Sequence, residues 1–319
     1  MSLKKILDEF PKKKIMVIGD VMLDKYTHCK VRRISPEAPI QVGEVQKETY
    51  VPGGAGNSVN NIASLSAESY IFGVIGDDYF GDLLKKHLKK RKIKIDGLIE
   101  EKDRPTTLKQ RVVAYGQQLL RLDYETREDI SKNTESEILK QITKKIEGID
   151  GIIISDYAKG LITRNIIKKT IALAKPHDIP VVIDTRPQHK TYYKNATIIT
   201  PNETEARAMA KLEKAPIERV GEKLLKELNS TILITRGEKG MALFKKDGTI
   251  KHFPTLAQEV YDVSGAGDTA TATLTLALAS GSTLDEAVEL ANIASGIVVG
   301  KLGTSTTNIK EIKTVINKK

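Results

Sequence analysis

Two carboxylates bracket a run of very small residues in DVSGAGDT, residues 262–269. Asp262 opens the stretch, and Asp268 follows Gly265, Ala266 and Gly267 directly, ahead of a long apolar helical pattern over about 267–280. Glycine is a poor helix former, so two in three positions cost stability unless the backbone gains something there. One reading is a tight turn whose acid helps to cap the next helix. The sharper reading is a cradle of backbone N–H groups for an anion, because a helix N-terminus carries unpaired donors and partial positive charge. Phosphoryl transfer needs such a cradle for the moving charge and a base near the attacking hydroxyl. Asp268 is placed for that base.

Other phosphate-binding patterns are missing. GIVVGKL (296–302) has the wrong glycine spacing for a Walker A loop, lacks Ser or Thr after Lys301, and lies in a helical stretch. No G-x-G-x-x-G follows the first strand, which weakens a nicotinamide-binding reading. GGAGN (53–57) is glycine-rich but opens a helix after a β insertion rather than after a core strand.

The elements that must position these residues are legible. Short apolar runs read as buried strands: KIMVIGD (14–20), YIFGVIG (70–76), GIIISD (151–156), PVVID (180–184), ATIIT (196–200) and STILITRG (230–237). Most are continuously apolar, as a sheet covered on both faces requires. Helical patterns separate them at 80–91, 134–148, 163–175 and 217–229. The alternation predicts a three-layer α/β domain with a mainly parallel sheet. Ligands of such sheets bind at the carboxyl ends of the strands, where the loops IGD, SDYAKG, IDTRP, ITPNE and ITRGEKG fall. Residues 24–52 and about 104–124 break the rhythm by alternating polar and apolar residues in the strand period. They predict one small antiparallel β sheet with one wet face, assembled from two insertions and able to cover the cleft. No repeat, low-complexity linker or domain boundary interrupts the single domain.

Composition excludes several classes. The 319 residues are 40% hydrophobic and 29% charged, a soluble globular balance. The start, MSLKKILDEFPKKKIMVIGD, has no apolar stretch of signal-peptide or membrane length. Cys29 is the only cysteine, so an intrachain disulfide is excluded and a cysteine-based metal site disfavoured. A cytoplasmic location is the default. The net charge of +10 raises nucleic acid as a partner, yet the densest basic run, KKHLKKRKIK (85–94), ends an amphipathic helix without interleaved aromatics. A lysine-rich solvated surface, or an anionic small substrate, accounts for the charge.

With its context in place, DVSGAGDT resembles the second signature of the ribokinase-like (PfkB) carbohydrate kinases, and PGGAGNSVNNIASL (52–65) resembles the first. TPNETEA (200–206) is similar to the family's N-x-x-E element and TRGEKG (235–240) to its phosphate-contacting loop. The four motifs stand in the family's order across nearly the whole chain. Val59 and Thr273 depart from it, standing where small residues are usual. Finer strings resemble the D-glycero-β-D-manno-heptose-7-phosphate kinases: GDVMLDKY (19–26), RRISPEAPI (32–40), QQLLRLDYE (117–125), SDYAKG (155–160) and VVGKLGTST (298–306).

The resemblance implies a ribokinase-like fold with a β lid, and ATP and Mg²⁺ as cosubstrate and metal. It implies that Asp268 takes the proton of the sugar's anomeric hydroxyl while Gly265, Ala266 and Gly267 hold the transferring phosphoryl. Asn202, Glu203, Thr204 and Glu205 then serve the nucleotide phosphates, Glu205 also Mg²⁺ through water. Thr235, Arg236 and Gly237 approach the phosphates, with Gly240 turning the chain. Asn292 either faces the adenine or is structural. Asp24, Gly53, Gly54 and Asn57 meet the sugar, and Lys109, Arg111, Arg121 and Lys159 are candidates for the substrate's own phosphate. Asp184 and Arg186 are open to either ligand. The expected partners are a sugar phosphate and ATP, with neither nucleic acid nor membrane. Exposed lid edges suggest a homodimer, and a separate nucleotidyltransferase would take the next step toward ADP-heptose. The rivals are the same chemistry on fructose 6-phosphate or ribose, and a silent sugar or nucleic-acid binder. The intact G-A-G-D and N-x-x-E elements count against silence, since a binder needs no base.

Overall fold

A computed structural model describes residues 2–256, 261–301, 303 and 305–318. In chain order the first half runs α1 (Leu3–Glu9), β1 (Lys14–Gly19), β2 (Val21–Ile34), β3 (Gln41–Gly54), α2 (Ala55–Ser64), β4 (Glu68–Gly76), α3 (Tyr79–Lys90), β5 (Lys94–Glu101), β6 (Leu108–Ala114), β7 (Gln117–Tyr124) and α4 (Lys132–Lys145). The second half runs β8 (Gly151–Ser155), α5 (Arg164–Ala174), β9 (Val181–Asp184), β10 (Ile198–Ile199), α6 (Glu203–Ala210), α7 (Ile217–Leu228), β11 (Thr231–Thr235), β12 (Met241–Phe244), β13 (Ile250–Phe253), α8 (Ala266–Ala279), α9 (Leu284–Val299) and α10 (Ile309–Asn317).

Nine strands form one sheet in the order β13-β12-β11-β10-β9-β8-β1-β4-β5. Neighbours from β5 to β11 pair in parallel, and β12 and β13 return antiparallel at one edge. Alternate strand residues enter two different cores. Ile15 and Val17 pack with α1, α2, α3, α8, α9 and α10; Met16 and Ile18 pack with α4 to α7. This two-sided burial is why the strands read as unbroken apolar runs. The expected three-layer domain is present. Helix starts follow local chemistry, with Asp78, Ser131 and Thr163 each accepting a first-turn N–H. α8 is buried from Asp268 to Ala277, so it carries no polar stripe for solvent.

Three parts of the sheet exceed the sequence reading: β5, β12 and β13. β5 is an edge strand of mixed polarity, and β12–β13 is a hairpin turned by Asp247 and Gly248, a signal that was available in the sequence. The second sheet has the order β3-β2-β6-β7 and comes from the two expected insertions. Two corrections apply to it. β2 pairs with β6 in parallel, because strands from separate insertions need no hairpin between them. It also lacks a single wet face, since β7 is exposed at all eight positions. Val59 is fully buried in the core, whereas the Thr273 hydroxyl is buried with no hydrogen-bond partner among the described residues. The string VVGKLGTST includes Leu302 and Thr304, which lie outside the described residues.

Candidate active site

β1 and β8 are neighbours, yet the chain leaves β1 toward β4 and later returns to β8, so the strand order reverses between them. A crevice opens at the carboxyl ends at such a switch point. Asp20 follows β1, Asp156 follows β8, and Asp184 ends β9. Helices α2 and α8 close over this end, and their pairing builds the centre of the site.

Asp268, in the first turn of α8, is only 6% exposed. Its Oδ2 accepts from Asn57 Nδ2 at 2.7 Å and its Oδ1 from Ser58 Oγ at 2.6 Å. Tyr157 directs its hydroxyl at the same Oδ1, at 3.4 Å. Asn61 joins the two helices behind this contact, donating to the Asn57 carbonyl at 3.0 Å and accepting from Thr269 Oγ1 at 2.7 Å. Burial pushes the Asp268 carboxyl above its usual range, against the bonds from Ser58, Asn57 and Tyr157 and the charge of Arg186. A carboxylate held by neutral donors and raised in basicity is suited to accept a proton.

The cradle has the expected backbone. Gly265 has φ +82° and caps α8 without any side-chain bond. A Cβ on Gly267 would meet nothing within 4 Å, so the space before it is open. The Ala266 N–H is the exception, donating to the Val263 carbonyl at 3.2 Å. The glycines of the first motif also pack tightly against the chain itself. A Cβ on Gly53 would collide with the Asp24 carboxylate, and one on Gly54, with φ +56°, would stand 2.5 Å from the Asp20 carbonyl oxygen. What approaches them closely is the protein's own chain. Asn57 likewise spends its amide on Asp268.

The N-x-x-E element is a capping box on α6. Asn202 Oδ1 accepts from the Glu205 N–H at 2.9 Å, and Glu205 Oε2 accepts from the Asn202 N–H at 3.0 Å. The other Glu205 oxygen pairs with Arg186 Nη1. Thr204 is exposed in the same turn, and Glu203 bridges Arg207 and Arg236, the latter at 2.9 Å. Thr235 donates its N–H to the Pro201 carbonyl at 3.0 Å, which brings β11 and the TRGEKG loop beside this turn. Gly237 and Gly240 have φ +56° and +75°. Asn292 stands apart from this group. Buried on α9, it donates to the Pro254 carbonyl at 2.7 Å, the structural alternative.

The four candidate phosphate-binding cations are all engaged with carboxylates. Arg111 Nη1 meets Asp24 Oδ1 at 2.5 Å and lies over the Tyr26 ring. Lys109 reaches Asp123 at 3.3 Å and Glu125 at 3.5 Å, while Lys159 meets Glu125 at 2.5 Å. Arg121, half exposed, pairs with Asp123 at 3.0 Å. Burial opposes the charged form of Glu125, yet Lys159 and Lys109 hold its carboxyl below the usual range. Glu125 therefore gathers two of the four candidate cations.

Asp20 and Asp156 escaped the sequence reading, and Asp184 was noticed without a role. Asp20 accepts the N–H groups of Tyr157, Lys159 and Leu161 at 2.9, 3.1 and 3.1 Å and so shapes the SDYAKG loop. Burial and the nearby Asp156 charge push its carboxyl up to about 6. Asp156 accepts from Tyr193 at 2.7 Å and meets His189 Nδ1 at 2.7 Å. Desolvation beside Asp268 pushes Asp184 well above the carboxylate range. An acid at the end of each of three neighbouring strands was the available signal; the partners of each acid were not.

A sequence profile described as pfkB family carbohydrate kinase matches residues 12–311. The chain belongs to this family. This PfkB carbohydrate kinase is 43% identical to the bifunctional protein HldE of Geobacter metallireducens over 301 residues, 93% of this chain and 61% of that protein. The chain spans about three-fifths of the length of the curated relatives it matches. Two solved structures share its fold. Phosphofructokinase-2 from Escherichia coli, in complex with potassium, gives a TM-score of 0.79 at 17% identity, covering 96% of this chain and 98% of that one. Ribokinase from Arabidopsis thaliana, complexed with ribose and ATP, gives 0.75 at 21% identity, covering 95% and 98%. The fold is ribokinase-like, with a smaller second sheet.

Proposed function

We propose that this kinase transfers the γ-phosphoryl of ATP to the anomeric hydroxyl of D-glycero-β-D-manno-heptose 7-phosphate, giving the 1,7-bisphosphate of ADP-heptose synthesis. The observation that carries the reading is the buried Asp268 carboxylate, held by Asn57 and Ser58 at the open start of α8. Asp268 takes the proton of the attacking hydroxyl, and the α8 N-terminus holds the phosphoryl oxygens. Arg111, Lys109 and Lys159 exchange a carboxylate for the substrate's phosphate as the lid closes, with Arg121 at the outer end. The heptose assignment is supported by the finer strings of the lid and by the HldE relatives.

Mg²⁺ fits this site as an ion that arrives with the nucleotide. Among the described residues no group of three His, Cys, Asp or Glu is placed to hold a metal, which suits an ion that keeps water and phosphate ligands. Glu205 would hold it through water, and the bound ion would neutralise charge on the β- and γ-phosphates. Glu205→Gln is expected to raise the Mg²⁺ requirement; an unchanged metal titration excludes that role.

The lid also exposes Ile34, Ile40, Val45 and Leu120, each more than half exposed, a surface suited to pairing with a second lid in a homodimer. Sedimentation showing only monomer at micromolar concentration would count against the pairing. A cytoplasmic setting accords with the substrates, and a nucleotidyltransferase would act next.

A panel of sugars read by ADP release tests the substrate. Heptose 7-phosphate is expected to exceed heptose, fructose 6-phosphate and ribose in kcat/KM, because contacts to the remote phosphate supply binding energy for orientation. A higher value for fructose 6-phosphate or ribose would keep the kinase and discard the heptose.

A further inference from the structure

The loop after β9 carries Arg186 into the centre of the site, and nothing above gives it a task. Its guanidinium lies over the Tyr157 ring, 4.7 Å from the centroid, and the hydroxyl of that ring is 3.4 Å from Asp268 Oδ1. On its other side Nη1 is paired with Glu205 of the N-x-x-E turn. Its backbone is pinned as well, since the Arg186 N–H donates to Tyr193 Oη at 2.8 Å while that hydroxyl donates to Asp156 at 2.7 Å. Arg186 therefore stands one aromatic ring from the base and in contact with the nucleotide-side glutamate.

We propose that Arg186 is a catalytic residue whose guanidinium binds the phosphoryl group in flight between the nucleotide and the sugar. The inference rests on the kinase reading given above, though not on the choice of sugar. In the step, the bond from the sugar oxygen to phosphorus forms as the bond from phosphorus to the β–γ bridging oxygen breaks. The hydroxyl proton goes to Asp268, and the negative charge departs on ADP. The moving group must cross from the Glu205 side to the Asp268 side, and Arg186 reaches Glu205 directly and Asp268 across the Tyr157 ring. Its planar fork of donors matches phosphoryl oxygens, and stacking on Tyr157 fixes its plane before substrate arrives. Charge arguments agree: the guanidinium acts on Asp184, Glu205 and Asp268 together, more carboxylate than a simple structural counter-ion needs.

Arg186→Met and Arg186→Lys test the assignment, with thermal unfolding to show that each variant folds. Arg186→Met is expected to lower kcat by about a hundredfold or more while KM for the sugar changes by less than about threefold, because the contact strengthens in the transition state. Guanidinium chloride at millimolar concentration should restore part of the activity of Arg186→Ala, and leave Arg186→Lys little changed. Calorimetric titration supplies a readout without turnover or sugar. ADP should bind Arg186→Met as it binds the parent, while the β,γ-imido analogue of ATP should bind about tenfold more weakly. Equal weakening of both nucleotides would make Arg186 a support for the Glu205 turn and overturn the proposal, as would near-normal kcat. If Arg186→Met fails to fold, the same nucleotide comparison on Arg186→Lys decides. A failed heptose assignment would leave all these results unaltered.

Discussion

The two acidic centres of this molecule are held in opposite ways. Around Asp268 the partners are neutral and buried: the amide of Asn57, the hydroxyls of Ser58 and Tyr157, and the amide of Asn61 behind them. Around Asp123 and Glu125, at the smaller sheet, the partners are the cations Lys109, Arg121 and Lys159, of which Arg121 is half exposed. Neutral donors orient a carboxylate without quenching its affinity for a proton, as the role proposed for Asp268 requires. An ion pair at a wet surface is worth roughly 0–1 kcal/mol, so Arg121, on the reading proposed above, can trade its carboxylate for a phosphate at little cost. On the proposed reading, chemistry is placed among neutral partners and selection where charges can be exchanged.

The contrast can be broken at its strongest point first. Asp268→Asn should lower kcat by at least about a hundredfold while ATP binding survives, since the base acts in the transition state. Near-normal turnover in a folded variant would remove Asp268 from its role. A smaller effect is expected at the lid. Arg121→Ala should narrow the preference for phosphorylated over unphosphorylated sugar by a few-fold, roughly the worth of one exposed pair. A loss of activity on both sugars alike would move Arg121 out of substrate selection.

Stability offers two finer tests. Asp20 is raised from 3.8 to about 6, so its contribution is fully present below the unfolded value and lost as pH rises through about 6. The parent should therefore lose stability relative to Asp20→Asn between about pH 4 and pH 6, a difference that parallel denaturant titrations would show. Equal slopes would mean that the acid is not buried in its charged form. The smallest effect is at Thr273, whose buried hydroxyl lacks a partner among the described residues. Thr273→Val should stabilise the fold by up to about 1 kcal/mol, because it removes an unsatisfied group at constant shape. Clear destabilisation on thermal unfolding would reveal a bond for that hydroxyl.

What could be read in the sequence follows from the same contrast. The parallel strands were legible because burial on both faces leaves an apolar run, as in GIIISD. β5 was not, since KIDGLIEE at the sheet edge mixes exposed and buried positions. The lid's segments were legible by alternation, but the parallel pairing of β2 with β6 joins Leu23 to Leu108 across 85 positions of chain, and no local signal records it. In the site, Asp268 and the glycines were found through their strings. Their partners lie far away in sequence, so Ser58 and Tyr157 passed as ordinary motif residues. Asn57 and Gly53, expected at the sugar, stand against Asp268 and Asp24, partners that no local string records. Arg186 drew notice without a role because its significance lies in what stands on either side of it.

The most direct test of a neutral, buried cradle for the base is the pH dependence of kcat/KM in the parent and in Ser58→Ala. Burial raises the Asp268 carboxyl and the Ser58 bond opposes that rise. The base must be ionised to work, so activity should fall as pH drops through its value, with the parent's acid limb centred above the ordinary carboxylate range near about 4. Removing the Ser58 hydroxyl should move that limb to still higher pH while the plateau at alkaline pH falls less. An acid limb at the ordinary carboxylate position, or one unmoved by Ser58→Ala, would contradict the account.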